Sequence, residues 1–129
     1  MNVRALIFDV FGTLVDWRSG VARELRSLLR VSAEKADALA DAWRDEYQPA
    51  MEEVRASRIP FCKLDVLHRR NLDVVLDRFG HDANEATRRD LTLAWHHLDA
   101  WPDVTPALAR LRERFLLAPC SNGNISLMA

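Results

Sequence analysis

Ala5-Leu6-Ile7-Phe8-Asp9-Val10-Phe11-Gly12-Thr13-Leu14 decides the fold. The continuous apolar run from Ala5 to Phe8 predicts a buried strand, because a strand covered on both faces carries no polar alternation. The run delivers a carboxylate, Asp9, at its C-terminal end. The chain then turns at Gly12 and presents a hydroxyl at Thr13. In an open α/β sheet the carboxyl ends of the strands line the ligand crevice. Asp9 is therefore placed where chemistry happens, and a carboxylate there can be a nucleophile that forms a covalent ester. Taken alone, an aspartate after an apolar strand is more often a turn residue.

A second stretch repeats the pattern. Phe115-Leu116-Leu117-Ala118-Pro119-Cys120 reads as another buried strand, with Pro119 tolerable only near its end. Ser121-Asn122-Gly123-Asn124 follows as a turn, and Ile125 to Met128 begin a helix. A hydroxyl, an amide and free backbone N–H groups at a strand-to-helix turn suit an anion. A plain polar turn uses the same residue types.

The chain between the two strands reads as helical. Val21, Leu25, Leu28 and Leu29 share a helical face. Ser32 caps a helix carrying Ala36, Leu39, Ala40 and Trp43, which Pro49 ends or kinks. Pro60 opens a segment with Leu64, Leu67, Leu72, Val75 and Leu76 at helical spacing, stopped at Phe79-Gly80. Ala86 to Trp95 is a fourth amphipathic stretch, and no strand is expected between residues 15 and 98. Thr105 caps a further helix, with Pro106 at its first position and Ala107, Leu108 and Leu111 on its apolar face. A parallel pair needs a crossover of a dozen residues, and this one spends about 100. The expected architecture is α/β: a partial Rossmann-like parallel sheet core with an inserted all-helical cap. Residues 1–14 and 99–129 form the core and residues 15–98 the cap.

The 129 residues suffice for one modest domain, 49% hydrophobic and 29% charged. With 18 basic and 19 acidic residues the net charge is −1, so no basic excess points to nucleic acid or an anionic membrane. No apolar run approaches a membrane span. Met1 leads straight into the strand without a signal peptide, which suggests a cytoplasmic protein. Cys62 and Cys120 lack metal-ligand spacing and read as reduced, buried small residues. His96 and His97, adjacent on a helix, point about 100° apart and read as helix-end residues rather than metal ligands.

The string around Asp9 resembles motif I of the haloacid dehalogenase superfamily: an apolar strand, then Asp-x-[Asp or aromatic]-Gly-Thr-Leu. Phosphatases of that superfamily carry a second aspartate two positions on, as the acid for a leaving alkoxide. Phe11 stands there, as in the type II 2-haloacid dehalogenases, whose halide needs no proton donor. Leu14-Val15-Asp16-Trp17-Arg18-Ser19-Gly20 looks like the same branch. The apolar strand ending in Ser121-Asn122-Gly123 resembles motif II, and Trp101-Pro102-Asp103 the re-entry from cap to core. The order of motif I, helical insertion and motif II covers the whole chain.

The resemblance implies hydrolytic dehalogenation of a short 2-haloalkanoic acid through an aspartyl ester. The implied catalytic residues are Asp9, Thr13 and Arg44: Asp9 is the nucleophile, and Arg44, on the cap, receives the halide. A guanidinium beside a leaving halide stabilises its developing charge; a surface ion pair with Asp45 or Glu46 is the alternative for Arg44. Phe11, Ser121 and Asn122 bind substrate. Trp43, Tyr47, Phe61 and Trp95 are candidates to line an apolar pocket, though aromatics at this spacing also serve as plain core. No cofactor or metal is expected. The partner is the small-molecule 2-haloacid, with no nucleic acid and no membrane; a homodimer remains open. Relatives carry a motif III lysine and motif IV residues beyond the counterpart of Ala129. A truncated chain ending there is expected to turn over little. A phosphatase-like hydrolase and a non-catalytic fragment are the alternatives.

Overall fold

The computed structural model describes residues 2–128. Strand β1 spans Ala5–Phe8 and strand β2 spans Leu116–Pro119. They pair in parallel, with Ala5 opposite Leu116 and Phe8 opposite Pro119. Leu116 N donates to Arg4 O at 3.0 Å, and Cys120 N donates to Phe8 O at 2.7 Å. This register brings the residues that follow both strands, Asp9 and Cys120-Ser121, to one end of the sheet. Pro119 sits at the last paired position, where its missing N–H costs the ladder little.

Six helices lie between the strands among the described residues; the first five are α1 Trp17–Leu29, α2 Ala33–Asp45, α3 Tyr47–Arg55, α4 Leu64–Arg78 and α5 Glu85–Leu93. A 3₁₀ turn, Ala94–His96, closes the series. Helix α6, Val104–Leu111, precedes β2, and a short α7, Ile125–Met128, follows it. Among the described residues no strand interrupts positions 17–96. The two passages between sheet and helices run side by side: Asp16 N donates to Asp99 O at 2.9 Å and Trp101 N to Leu14 O at 3.0 Å. The result is an α/β fold, a small parallel sheet with an all-helical insertion.

Capping follows side-chain chemistry. Asp16, Ser32 and Asn84 each accept a hydrogen bond from the backbone N–H three residues on, at the starts of α1, α2 and α5. Helix α4 ends at Phe79, and Gly80 takes φ +65°, so that His81 N returns to Leu76 O at 2.9 Å. The core lies within the helical layer: Val21, Leu25, Leu39, Trp43, Leu72, Val75, Leu76 and Leu91 are all but sealed from solvent.

Several expectations shift. The helix that Pro49 was expected to end or kink stops four residues before it, at Asp45, and Pro49 is the third residue of the next helix, α3. Helix α6 starts at Val104 after Asp103, not at Pro106 after Thr105. Leu28 is 37% exposed, because it falls at the edge of the face that buries Val21 and Leu25. The strands are not buried: Ile7 is 69% exposed and Leu116 75%. Among the described residues each strand has one neighbour and α6 has no fully buried residue, so the strands' apolar side chains are only partly covered. Cys120, beyond the end of β2, is exposed for the same reason, and Cys62 is half-buried; both are free thiols. Phe61 is 88% exposed and lines no cavity at the site, because it lies in the loop before α4 and points away from the core. No helix among the described residues is long and apolar enough to cross a membrane.

Candidate active site

Asp9 leaves the end of β1 into a tight turn. Leu14 N and Val15 N both donate to Val10 O, at 2.9 and 3.2 Å, and Gly12 N donates to Val15 O at 3.0 Å. Gly12 takes φ +92°, a conformation that side-chain-bearing residues rarely adopt. Trp101 Nε1 donates to Gly12 O at 3.1 Å and pins the turn from the returning segment. The turn folds Thr13 back onto the strand end, where its Oγ1 donates to Asp9 Oδ2 at 2.8 Å. Ser121 Oγ, arriving from β2, donates to the other oxygen, Oδ1, at 3.2 Å. The Thr13 bond outweighs desolvation and, with the Val10 N–H, the Ser121 bond and the charge of Arg44, holds the Asp9 carboxyl below its usual range. Asp9 is thus an ionised carboxylate near neutral pH, oriented at both oxygens.

Arg44 comes from the last turn of α2. Its guanidinium carbon lies 4.4 Å from the Tyr47 ring centroid and 5.8 Å from that of Trp17, within cation–π range. It forms no ion pair among the described residues; Glu46 pairs instead with Arg78. Asn122 Nδ2 donates to Tyr47 Oη at 2.8 Å, which ties the turn after β2 to helix α3.

These side chains face one cavity of about 200 Å³. Asp9, Arg44, Ser121 and Asn122 supply its polar wall, and Phe11, Trp43, Tyr47 and Trp95 its aromatic wall. Phe11 meets Trp95 edge to face, with centroids 6.1 Å apart. Trp95 also stacks on Trp17 at 5.9 Å and crosses Trp43 at 5.6 Å. Thr13 is not in the wall; it touches the site through Asp9. A carboxylate opposite an unpaired guanidinium, across a small aromatic-walled cavity, can attack an electrophilic carbon while a leaving anion moves to the guanidinium. No group of three or more His, Cys, Asp or Glu among the described residues is arranged to hold a metal ion.

Sequence reasoning missed three lining residues: Gln48, Leu64 and His68. His68 is 5% exposed and stacks on Trp95 with centroids 4.4 Å apart. Burial, which outweighs the favourable charge of Asp65, pushes its imidazole down to about 4; Arg44 and His96 push the same way. It is therefore neutral at pH 7, and its Nδ1 has no hydrogen-bond partner among the described residues. A signal existed: His68 lies four residues from both Leu64 and Leu72, on the apolar stripe of α4. Gln48 had none.

Residues 3–129 match the haloacid dehalogenase-like hydrolase family. The chain is 28% identical, over 127 residues, to (S)-2-haloacid dehalogenase 1 of Pseudomonas sp. (strain CBS-3), covering 98% of this chain and 54% of that protein. It is 28% identical to (S)-2-haloacid dehalogenase 4A of Burkholderia cepacia, with 98% and 53% covered. A crystal structure of a defluorinating L-2-haloacid dehalogenase superposes with a TM-score of 0.90 at 41% identity, covering 98% of this chain and 54% of that one. The chain spans about half the length of the curated relatives it matches.

Proposed function

The chain belongs to the haloacid dehalogenase-like hydrolase family, and we propose that within an active protein its cavity carries out hydrolytic dehalogenation of short 2-haloalkanoic acids. Residues 1–14 and 99–129 are the core part of that site and residues 15–98 its cap. One observation carries the reading. The Asp9 carboxylate is gripped at both oxygens by Thr13 and Ser121, and shares a cavity of about 200 Å³ with the Arg44 guanidinium, which has no ion-pair partner among the described residues.

Asp9 attacks C2 of the haloacid from the side opposite the halogen. The C–halogen bond breaks with its electron pair on the halide, which Arg44 receives. The new C–O bond is an ester on Asp9, and in-line displacement inverts C2. Phe11 fits this step, because a departing halide needs no proton. Ser121, Asn122 and the turn amides hold the substrate carboxylate. Water then adds to the ester carbonyl of Asp9; the 2-hydroxy acid leaves and the carboxylate is restored. The similar structure named as defluorinating makes fluoride a leaving group worth testing beside chloride and bromide.

Single-turnover reaction in heavy-oxygen water, with the protein in excess, tests the scheme. The label enters the Asp9 side chain first and appears in product only in later turnovers. Label directly in the first hydroxy acid, with Asp9 unlabelled, would mean that water attacks C2 and that Asp9 is not the nucleophile.

A further inference from the structure

The turn that follows β2 carries two polar groups of the cavity, yet the sheet alone gives it little support. Ser121 is half-buried and Asn122 exposed. What holds the turn is a set of side chains from three helical elements. Tyr47, on α3, accepts from Asn122. Asp65, on α4, accepts from Asn124 Nδ2 at 2.9 Å. The third is His96, in the 3₁₀ turn. One ring nitrogen, Nε2, lies 2.9 Å from Asp65 Oδ1, and the other, Nδ1, lies 3.1 Å from the backbone carbonyl of Ser126.

The network closes on itself. Asp65 uses one oxygen for His96 and the other for Asn124, so the carboxylate bridges the 3₁₀ turn to the chain after β2. The side chain of Asn124 also donates to Ser126 Oγ at 2.6 Å, which stiffens the start of α7. The His96 ring thus spans from the Asp65 carboxyl group to the backbone of α7. The side chains of His96 and Asp65 are 15% and 30% exposed, and the two bonds that Asp65 makes are partly buried. Neither residue lines the cavity.

We propose that Asp65 and His96 are positioning residues for the anion-binding turn. They hold Asn124 and Ser126, and through them set Ser121 and Asn122 at the distance from Asp9 and Arg44 that a 2-halocarboxylate spans. The inference rests on the proposed function, since it takes the turn as the carboxylate-binding part of the site. It divides the labour: α2 carries the leaving-group side, while α4 and the 3₁₀ turn fix the carboxylate side.

The test is binding without turnover. The protein and its His96→Gln and Asp65→Asn variants are titrated with 2-hydroxypropanoate, and separately with bromide, while backbone amide resonances are followed by NMR. Each variant should bind the carboxylate about tenfold more weakly, the scale of one lost hydrogen bond to a charged group. Bromide affinity should stay within about twofold, because Arg44 is held by Tyr47 and Trp17 instead. Asp65→Asn keeps the side-chain shape and guards against a trivial packing loss in His96→Gln. Unchanged carboxylate affinity in both variants overturns the proposal, and so does equal weakening of both anions, which would signal general loosening. If the unsubstituted protein binds no 2-hydroxypropanoate while its spectrum is that of a folded chain, the carboxylate reading of the turn fails, and this proposal with it.

Discussion

Acidification should destabilise this protein through His68, whose imidazole is buried in the helical layer. The imidazole titrates near 6.5 in the unfolded chain and at about 4 in the fold. Between those values the unfolded state binds the extra proton, so stability is present above 6.5 and drains away as the pH falls. From pH 7.5 to 4.5 the loss attributable to this one group is about 2.5 kcal/mol. The conversion holds because His68 is 5% exposed, so bulk solvent does not screen it. The matching variant is His68→Phe, which keeps a ring against Trp95 and cannot be charged. Urea unfolding is followed by tryptophan fluorescence at half-unit pH steps. Wild type and variant should diverge below pH 6.5 and differ in their pH-dependent loss by about 2.5 kcal/mol at pH 4.5. Parallel curves across that range would refute the reasoning, as would a His68 ring resonance that titrates near 6.5 in the folded protein.

Three further outcomes follow from particular contacts. Leu72→Ala removes a fully buried side chain between α2 and α5 and should lower the unfolding free energy by about 2–5 kcal/mol in urea melts. Gly12→Ala should cost about 1–2 kcal/mol through backbone strain at φ +92°, with no steric part, since its nearest neighbour would be the Trp17 ring at 3.7 Å. Arg44→Lys keeps the charge but loses the planar fork; in an active protein the rate of halide release at saturating substrate should fall about a hundredfold.

Much of the helical layer was legible because its signals are local. Ala36, Leu39, Ala40 and Trp43 recur at helical spacing after a capping Ser32, and all four are buried. Leu64 to Leu76 behave likewise on α4. The parallel strands were legible because a continuous apolar run ending in a polar turn occurs twice. What failed depended on a distant partner. Whether Phe61 meets a wall or solvent is decided by the path of the loop before α4, which no local pattern encodes. The exposure of Ile7 and Leu116 depends on what lies over the sheet, not on the strand's own composition. The Asp65–His96–Asn124 network joins residues whose sequence neighbours carry no shared pattern.

Pro106 shows where a local rule was read too narrowly, and Pro49 shows what the same rule does to a helix boundary. Pro49 and Pro106 are each the third residue of a helix. The first four N–H groups of any helix lack an internal acceptor, so proline is tolerated anywhere in that turn, not only at its first position. At Pro49 this has a consequence for the site. A single unbroken helix would need the residue 49 N–H to bond the Asp45 carbonyl, which proline cannot do, and the ring would crowd that carbonyl. Helix α2 therefore ends at Asp45, and α3 starts afresh at Tyr47. Arg44 lies in the last turn of one helix and Tyr47 opens the next, across a one-residue break at Glu46. The break brings the Tyr47 ring under the Arg44 guanidinium and turns its hydroxyl toward Asn122. The cation opposite Asp9 and the polar tie to the β2 turn thus meet at a helix break that Pro49 imposes.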